Sequence, residues 1–185
     1  GGLVLKEAEA AYLMRTGEPP FVPGRNNRER CSFYDCFPFE YPSNGLGDFR
    51  EGCISVRTAD GHVGSVLSYV SHEIVQGKPA LEGLPATFGT DEECETLRLV
   101  CEDKYINMQV ELLYTVFQDT DVITRSVRVT NTGSAHFYLT RVYSACIDMD
   151  NRDYDMVSLH GSWARERHIQ RKALGYGIQN VSSLR

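Results

Sequence analysis

The residues best suited to chemistry in this sequence are carboxylates. Asp148-Met149-Asp150 and Asp153-Tyr154-Asp155 place four acids within eight residues, and two acids flanking a scissile bond are what glycoside hydrolysis requires. Asn151 and Arg152 between them favour an exposed turn held by local hydrogen bonds, with a catalytic or calcium-binding role as the alternative. Asp91-Glu92-Glu93 is a charge run and reads as a solvated loop.

Asp48 and Arg50 differ because they sit in a stretch that mixes aromatics with Pro and Gly: Phe37, Phe39, Tyr41 and Phe49 surround Gly45-Leu46-Gly47. Glycines on either side of Leu46 let the backbone approach another surface closely. A ring face can pack on the C–H face of a pyranose while a neighbouring carboxylate accepts its hydroxyl hydrogens. The competing role for Asp48 or Arg50 is a salt bridge that holds the loop within its own domain. Trp163 with Arg165-Glu166-Arg167-His168 presents a similar choice. Arg165, Arg167, Ile169 and Arg171 alternate, which puts like charges on one strand face and suits a domain or subunit interface. Trp163 filling the core is the other reading.

Other chemistries lack support. Asn44-Gly45-Leu46-Gly47-Asp48 is missing the later Gly and the βαβ context of a dinucleotide site. Gly161-Ser162-Trp163-Ala164 is missing the closing Gly of a nucleophile elbow. The His residues are dispersed at 62, 72, 136, 160 and 168, so no metal or other cofactor is expected.

The elements that would carry these residues are mostly strands. Leu3 to Thr16 reads as a short helix stopped by Gly17 and Pro19-Pro20, and Glu18 to Arg30 as an exposed connector. Cys53 to Thr58 runs into Asp60-Gly61, a hairpin signal, and Val63 to Val75 follows as an extended run. Glu95 to Glu102, Ile106 to Phe117, Val122 to Asn131, Phe137 to Asp148, Asp155 to Trp163, Arg165 to Ala173 and Gly177 to Ser182 are further predicted strands. Their Tyr and Phe residues are expected to point inward, leaving only the Phe37 to Phe49 stretch as an aromatic surface. Short connectors between them predict antiparallel meanders stacked as two sheets or a barrel.

With 185 residues and 42% hydrophobic content the chain can bury a real core. Its formal charge of −6 argues against a nucleic-acid surface, which needs clustered Lys and Arg. The apolar runs fall far short of the ~20 residues of a membrane-spanning helix. Six cysteines at 31, 36, 53, 94, 101 and 146 show no zinc or redox spacing and read as mostly structural thiols, with Cys31 and Cys36 the pair most open to bridging. A cytoplasmic protein is expected. Both ends, Gly1-Gly2-Leu3 and Ser183-Leu184-Arg185, read as cut from something larger.

Several motifs in series also resemble one family. Glu40-Tyr41-Pro42, Gly47-Asp48-Phe49-Arg50, Gly83-Leu84-Pro85-Ala86-Thr87, Tyr114-Thr115-Val116-Phe117 with Asp121 to Ser126, and Gly161 to His168 look like the N-terminal domain of glycoside hydrolase family 36 α-galactosidases, over about Phe37 to Arg185. The resemblance implies a mainly β chain: residues 1–36 as helix and connector, residues 37–185 as an antiparallel β-supersandwich incomplete at both ends. It implies that two catalytic Asp residues lie on a (β/α)8 barrel absent from these residues, so that the fragment alone is inactive. It further implies a galactoside substrate such as raffinose or melibiose, with N-acetylgalactosaminides and raffinose-type transfer as family variants, and a homo-oligomeric parent enzyme. In such an oligomer Asp48 would reach the sugar in a neighbouring subunit's pocket. Phe49, Arg50, Trp163, Arg165, Arg167 and His168 are then interface candidates. An autonomous carbohydrate-binding β-sandwich module is the alternative.

Overall fold

The computed structural model describes residues 40–45, 51–83, 86–147, 149 and 153–182. The helix expected at Leu3 to Thr16, the connector after it, Cys31, Cys36, Asp48, Phe49, Arg50, Asp148 and Asp150 lie outside them. The chain divides into two compact units, Gly1–Asp148 and Met149–Arg185.

In the first unit, β2 (Ser68–Gln76), β3 (Cys94–Asp103), β4 (Met108–Phe117) and β5 (Ile123–Asn131) form a four-stranded antiparallel meander, while β1 (Ile54–Thr58) pairs with β6 (Phe137–Val142) as a separate antiparallel ribbon. The chain is therefore mainly β with antiparallel sheets. The central strand β4 explains the packing: Met108, Val110 and Leu112 point one way into a core completed by Ile54 and Val56 of β1 with Tyr41 and Cys53. Glu111, Leu113 and Thr115 occupy its opposite face and are buried too. A strand covered on both faces reads as a near-continuous apolar run rather than a strict alternation, which is what Val110 to Val116 shows.

Connectors set the register. Asp103, buried at the end of β3, accepts hydrogen bonds on Oδ1 from the Tyr105 N–H at 2.9 Å and on Oδ2 from the Val66 N–H at 2.8 Å. One carboxylate thus closes the β3–β4 turn and ties down the segment before β2. Asn107 completes that turn at φ 52°, a left-handed conformation that Asn tolerates. Its carbonyl accepts the Thr132 N–H at 2.8 Å.

Some strand expectations change. The Asp60-Gly61 turn is present, with the Thr58 N–H donating to the His62 carbonyl at 3.0 Å, but it does not lead into a long hairpin. Arg57 and Val63 make only an isolated bridge, Gly64 turns away at φ +136°, and β2 starts at Ser68. The sequence-distant β6 becomes the partner of β1, because it completes the ribbon beside buried Ile54 and Val56. The sixth strand ends at Val142 rather than Asp148, and residues 177–182 form no strand. Gly177 has φ +89° there, outside the extended region.

The second unit contains a hairpin of β7 (Asp155–Ser162) and β8 (Arg165–Ala173). Val157, Leu159, Ile169 and Arg171 share one face, and His160 faces His168 on the other.

Candidate functional site

The glycine- and aromatic-rich segment that singled out Asp48 is bracketed by two described stretches, residues 40–45 and 51–54, and these are held with unusual density. On the entering side, Glu40 Oε1 accepts the Tyr114 hydroxyl at 2.6 Å and Arg125 Nη2 at 2.7 Å. The Arg125 guanidinium lies 4.7 Å from the Tyr114 ring centroid, and its Nη1 donates to the Cys146 carbonyl at 2.7 Å. Burial pushes the Tyr114 phenol well above its ordinary pKa, and the hydrogen bond to Glu40 adds to the shift, so it stays a donor. Tyr41 buries its ring and donates its hydroxyl to the Tyr143 carbonyl at 2.8 Å.

The two stretches then run side by side. The Cys53 N–H donates to the Pro42 carbonyl at 2.7 Å, and Ser43 bridges Ile54 in parallel sense. The Ser43 hydroxyl donates to the Ser65 carbonyl at 2.6 Å. Gly45 sits so close to the same carbonyl that a Cβ there would overlap it. On the leaving side, Glu51 Oε1 pairs with Arg141 Nη2 at 2.7 Å and accepts the Tyr143 hydroxyl at 3.2 Å. Glu40 is thereby fixed to the β4–β5 sheet and Glu51 to β6.

A second charged cluster crosses the opposite face of the meander. Glu73 on β2, Arg98 on β3, Glu111 on β4 and Arg128 on β5 form a continuous ion ladder. Arg98 reaches Glu73 at 2.5 Å and also pairs with Glu111, whose other oxygen takes Arg128 at 2.9 Å. The Glu111 side chain is only 5% exposed. Burial pushes its carboxyl up, but the hydrogen bond and charge of Arg98, with Arg128 behind them, outweigh burial and hold it below the ordinary value. Sequence reasoning missed this ladder. The signal was a single charge inside the apolar run Val110-Glu111-Leu112-Leu113, with Arg98 and Arg128 on the neighbouring strands of a meander.

The remaining candidates behave differently from one another. Trp163 is 89% exposed, so it does not fill the core of this chain. It sits at the β7–β8 turn beside Ala164, which adopts φ 64° and donates its N–H to the Glu166 carboxylate at 2.9 Å. Arg165, Arg167 and His168 are exposed on β8. The simple alternation expected of them fails, because Arg167 has φ 65° and the pairing register shifts between His160 and Ser162. Asp155 begins β7 and pairs with Arg171 at 3.3 Å, so it is part of a strand rather than of an acidic turn.

Tyr and Phe do not all point inward either. Phe88 precedes β3, Tyr105 lies in the turn after it, and Tyr138 is on β6 of the two-stranded ribbon; all three are exposed. Cys94 and Cys101 are free thiols whose pKa values burial raises, which suits the structural role expected of them. Among the described residues no group of three or more His, Cys, Asp or Glu is placed to hold a metal ion.

Comparison with known proteins agrees with the motif series. The family model described as "Glycosyl hydrolase family 36 N-terminal domain" matches residues 6–185. α-Galactosidase AgaA of Geobacillus stearothermophilus is 37% identical over 185 residues, which is 100% of this chain and 25% of the relative. α-Galactosidase C of Emericella nidulans is 42% identical over 162 residues, covering 88% of this chain and 20% of that protein. The crystal structure of AgaA superposes with a TM-score of 0.82 at 36% identity, covering 100% of this chain and 26% of that one, and the same enzyme has been solved as a variant in complex with raffinose. This chain thus spans about a fifth to a quarter of these relatives. A family match over nearly the whole length, with Glu40, Tyr114 and Arg125 of the motif series meeting in one cluster, places the chain in the glycosyl hydrolase family 36 N-terminal domain family.

Proposed function

We propose that this chain is the N-terminal scaffold and interface domain of a retaining α-galactosidase that releases terminal α-linked galactose from oligosaccharides of the raffinose and melibiose type, and that catalysis resides in a barrel outside these residues. One observation carries the scaffold reading: the inner carboxylates of the described core are all committed to structural partners. Glu111 is held between two arginines and Asp103 is spent on backbone N–H groups. A glycosidase general acid needs its pKa raised, whereas that of Glu111 is lowered. The raffinose and stachyose complexes of the Geobacillus relative support the substrate class.

Within this reading Asp48 contacts sugar hydroxyls in a neighbouring subunit's pocket of a homo-oligomer. Phe49, Arg50, Trp163, Arg165, Arg167 and His168 face domain or subunit boundaries. The finer architecture is a β-supersandwich over residues 37–185, with residues 1–36 as helix and connector. Free thiols at Cys94 and Cys101 support a cytoplasmic location, and a neutral sugar needs no electrostatic steering from a chain of net charge −6.

The test pairs two measurements. The 185-residue chain alone should give no turnover of an aryl α-galactoside above a buffer blank, and turnover would overturn the scaffold reading. Saturable galactoside binding by the isolated chain in calorimetry would instead favour an autonomous binding module. In the parent enzyme, Asp48→Ala should raise KM or lower kcat with the fold intact, and unchanged kinetics would remove Asp48 from the site.

A further inference from the structure

We infer that two surfaces of this chain recognise each other between copies: the acidic, apolar turn end of the meander in one protomer receives the basic, Trp-bearing β7–β8 hairpin of another. This rests on the interface role proposed above for Trp163, Arg165, Arg167 and His168, and names the surface that they meet.

The meander end is assembled from segments distant in sequence. Gln118, in the β4–β5 turn, donates its N–H to the Glu93 carbonyl at 2.9 Å. That bond sets the run Asp91-Glu92-Glu93 next to the turn carrying Asp119 and Asp121. Glu93 accepts the Thr90 N–H at 2.9 Å and Glu95 accepts the Gln76 amide at 2.9 Å, while the side chains of Glu92, Asp119 and Asp121 make no ion pair among the described residues. Against these carboxylates stands Lys78, whose N–H donates to the Gly89 carbonyl at 3.2 Å. Apolar groups lie among the charges. Glu95 is opposite Val116, and Val116 is opposite Ile123. Val116 and Ile123 are exposed, as is Phe88, whose neighbour Gly89 approaches Cys94 and Phe117 so closely that a Cβ there would overlap them.

The hairpin has the opposite charge. β8 carries Arg165, Arg167, Arg171 and Lys172 against the single acid Glu166, and all of its residues are exposed. Glu166 is engaged by the Ala164 N–H and Arg171 by Asp155, whereas Arg165, Arg167 and Lys172 make no ion pair among the described residues. Val157, Leu159 and Ile169 form an exposed apolar face, and Trp163 stands exposed at the turn. An antiparallel ribbon with one apolar face is stable when that face is covered, and Trp and Arg are the residues that dominate binding energy at interfaces.

Each surface is thus an exposed apolar patch beside charges of one sign, and the two signs are opposite. Apolar patches rimmed by polar groups mark protein interaction sites, and charge complementarity selects the partner and fixes its register. Both halves of the match lie on this one chain, so the partner whose chemistry fits is a second copy. Two protomers that exchange hairpins across a two-fold axis make the contact twice and close the assembly.

The test uses the full-length parent enzyme, sized by sedimentation velocity across a dilution series, with far-UV circular dichroism to check folding. One variant carries Arg165→Glu and Arg167→Glu, and a second carries Asp119→Lys and Asp121→Lys. Each alone sets like charges against one another and should raise the dissociation constant of the assembly roughly 100-fold. Mixing the two variants in equal amounts should restore assembly, because each reversed surface then meets its opposite. Arg165→Gln with Arg167→Gln, or Asp119→Asn with Asp121→Asn, removes charge without reversing it and should weaken assembly about tenfold, which keeps the test decisive if a reversal unfolds the chain. Folded variants that assemble like the parent, or that dissociate and are not restored by mixing, overturn the pairing and leave the interface role standing. A parent enzyme that is monomeric throughout the series overturns the subunit interface and the pairing together.

Discussion

Replacing Glu111 by Gln asks whether the ladder across the meander stabilises this chain or merely decorates it. The substitution keeps shape and one acceptor oxygen, so Arg98 retains a partner, but it turns an amide N–H2 toward Arg128, which now donates at 2.9 Å to a carboxylate oxygen. Hydrogen bonds to charged groups contribute about 1.5–3 kcal/mol each. Arg98 and Arg128 are 34% and 50% exposed on their side chains, so water recovers part of the loss, and the cost stays below the ~3–5 kcal/mol of breaking a fully buried pair. A net loss of about 2 kcal/mol follows, equivalent to a urea midpoint about 0.8 M lower for an m value near 2.5 kcal/mol/M. Far-UV circular dichroism should follow the transition, because the single Trp, Trp163, belongs to the β7–β8 hairpin and not to the meander.

The pH dependence supplies an internal control. The folded pKa of Glu111 lies below its ordinary value of 4.5, so the folded state holds its proton less readily than the unfolded state does. The stabilisation is therefore fully present above pH 4.5 and is lost as pH falls through the lower folded pKa. The gap between the parent chain and Glu111→Gln should be constant near neutrality and close on acidification, as the protonated Glu becomes nearly equivalent to Gln. Equal midpoints at pH 7, or a gap that does not change with pH, would refute the reasoning.

Two further outcomes concern other elements. Thr96 donates its hydroxyl to the Gly77 carbonyl at 2.7 Å, which leaves Thr115 as the donor in the buried Thr96–Thr115 contact at 2.8 Å. Thr96→Val strands a donor and an acceptor and should cost about 2–3 kcal/mol, against about 1 kcal/mol for Thr115→Val. A double-mutant cycle should give less than the sum, and the reverse order of costs would disprove the assigned donor directions. Trp163→Ala, at a side chain 89% exposed, should change the stability of this chain by no more than about 0.5 kcal/mol. In the parent enzyme it should lower the thermal midpoint; a destabilised fragment beside an unaffected parent would remove Trp163 from any interface.

The strands that could be read from the sequence are those whose side chains fall on a local period. Cys94–Asp103, Met108–Phe117 and Ile123–Asn131 follow one another through short turns, and each lies within two residues of its expected bounds. Adjacent antiparallel strands need only a turn to meet, so neighbours in sequence predict neighbours in space. The motif series fixed the family in the same way, because residue identity and spacing are carried by the chain itself. Its clustering was not legible: nothing local indicates that Glu40 will meet Tyr114 and Arg125.

What the sequence by itself determined is the β character, the meander, the turn chemistry at Asp60-Gly61 and the family. What only the tertiary structure decided is which distant segments close on one another: β6 rather than the following strand beside β1, the ladder that lets Glu111 stay charged in a buried position, and the anchoring of residues 40–45 and 51–54 on different strands. The physical reason is common to all three. Local propensity and turn geometry act over a few residues. Burial of Ile54, Val56 and Met108 in one core and pairing of charges from separate strands are long-range terms, and their outcome depends on every surface available once the chain has collapsed.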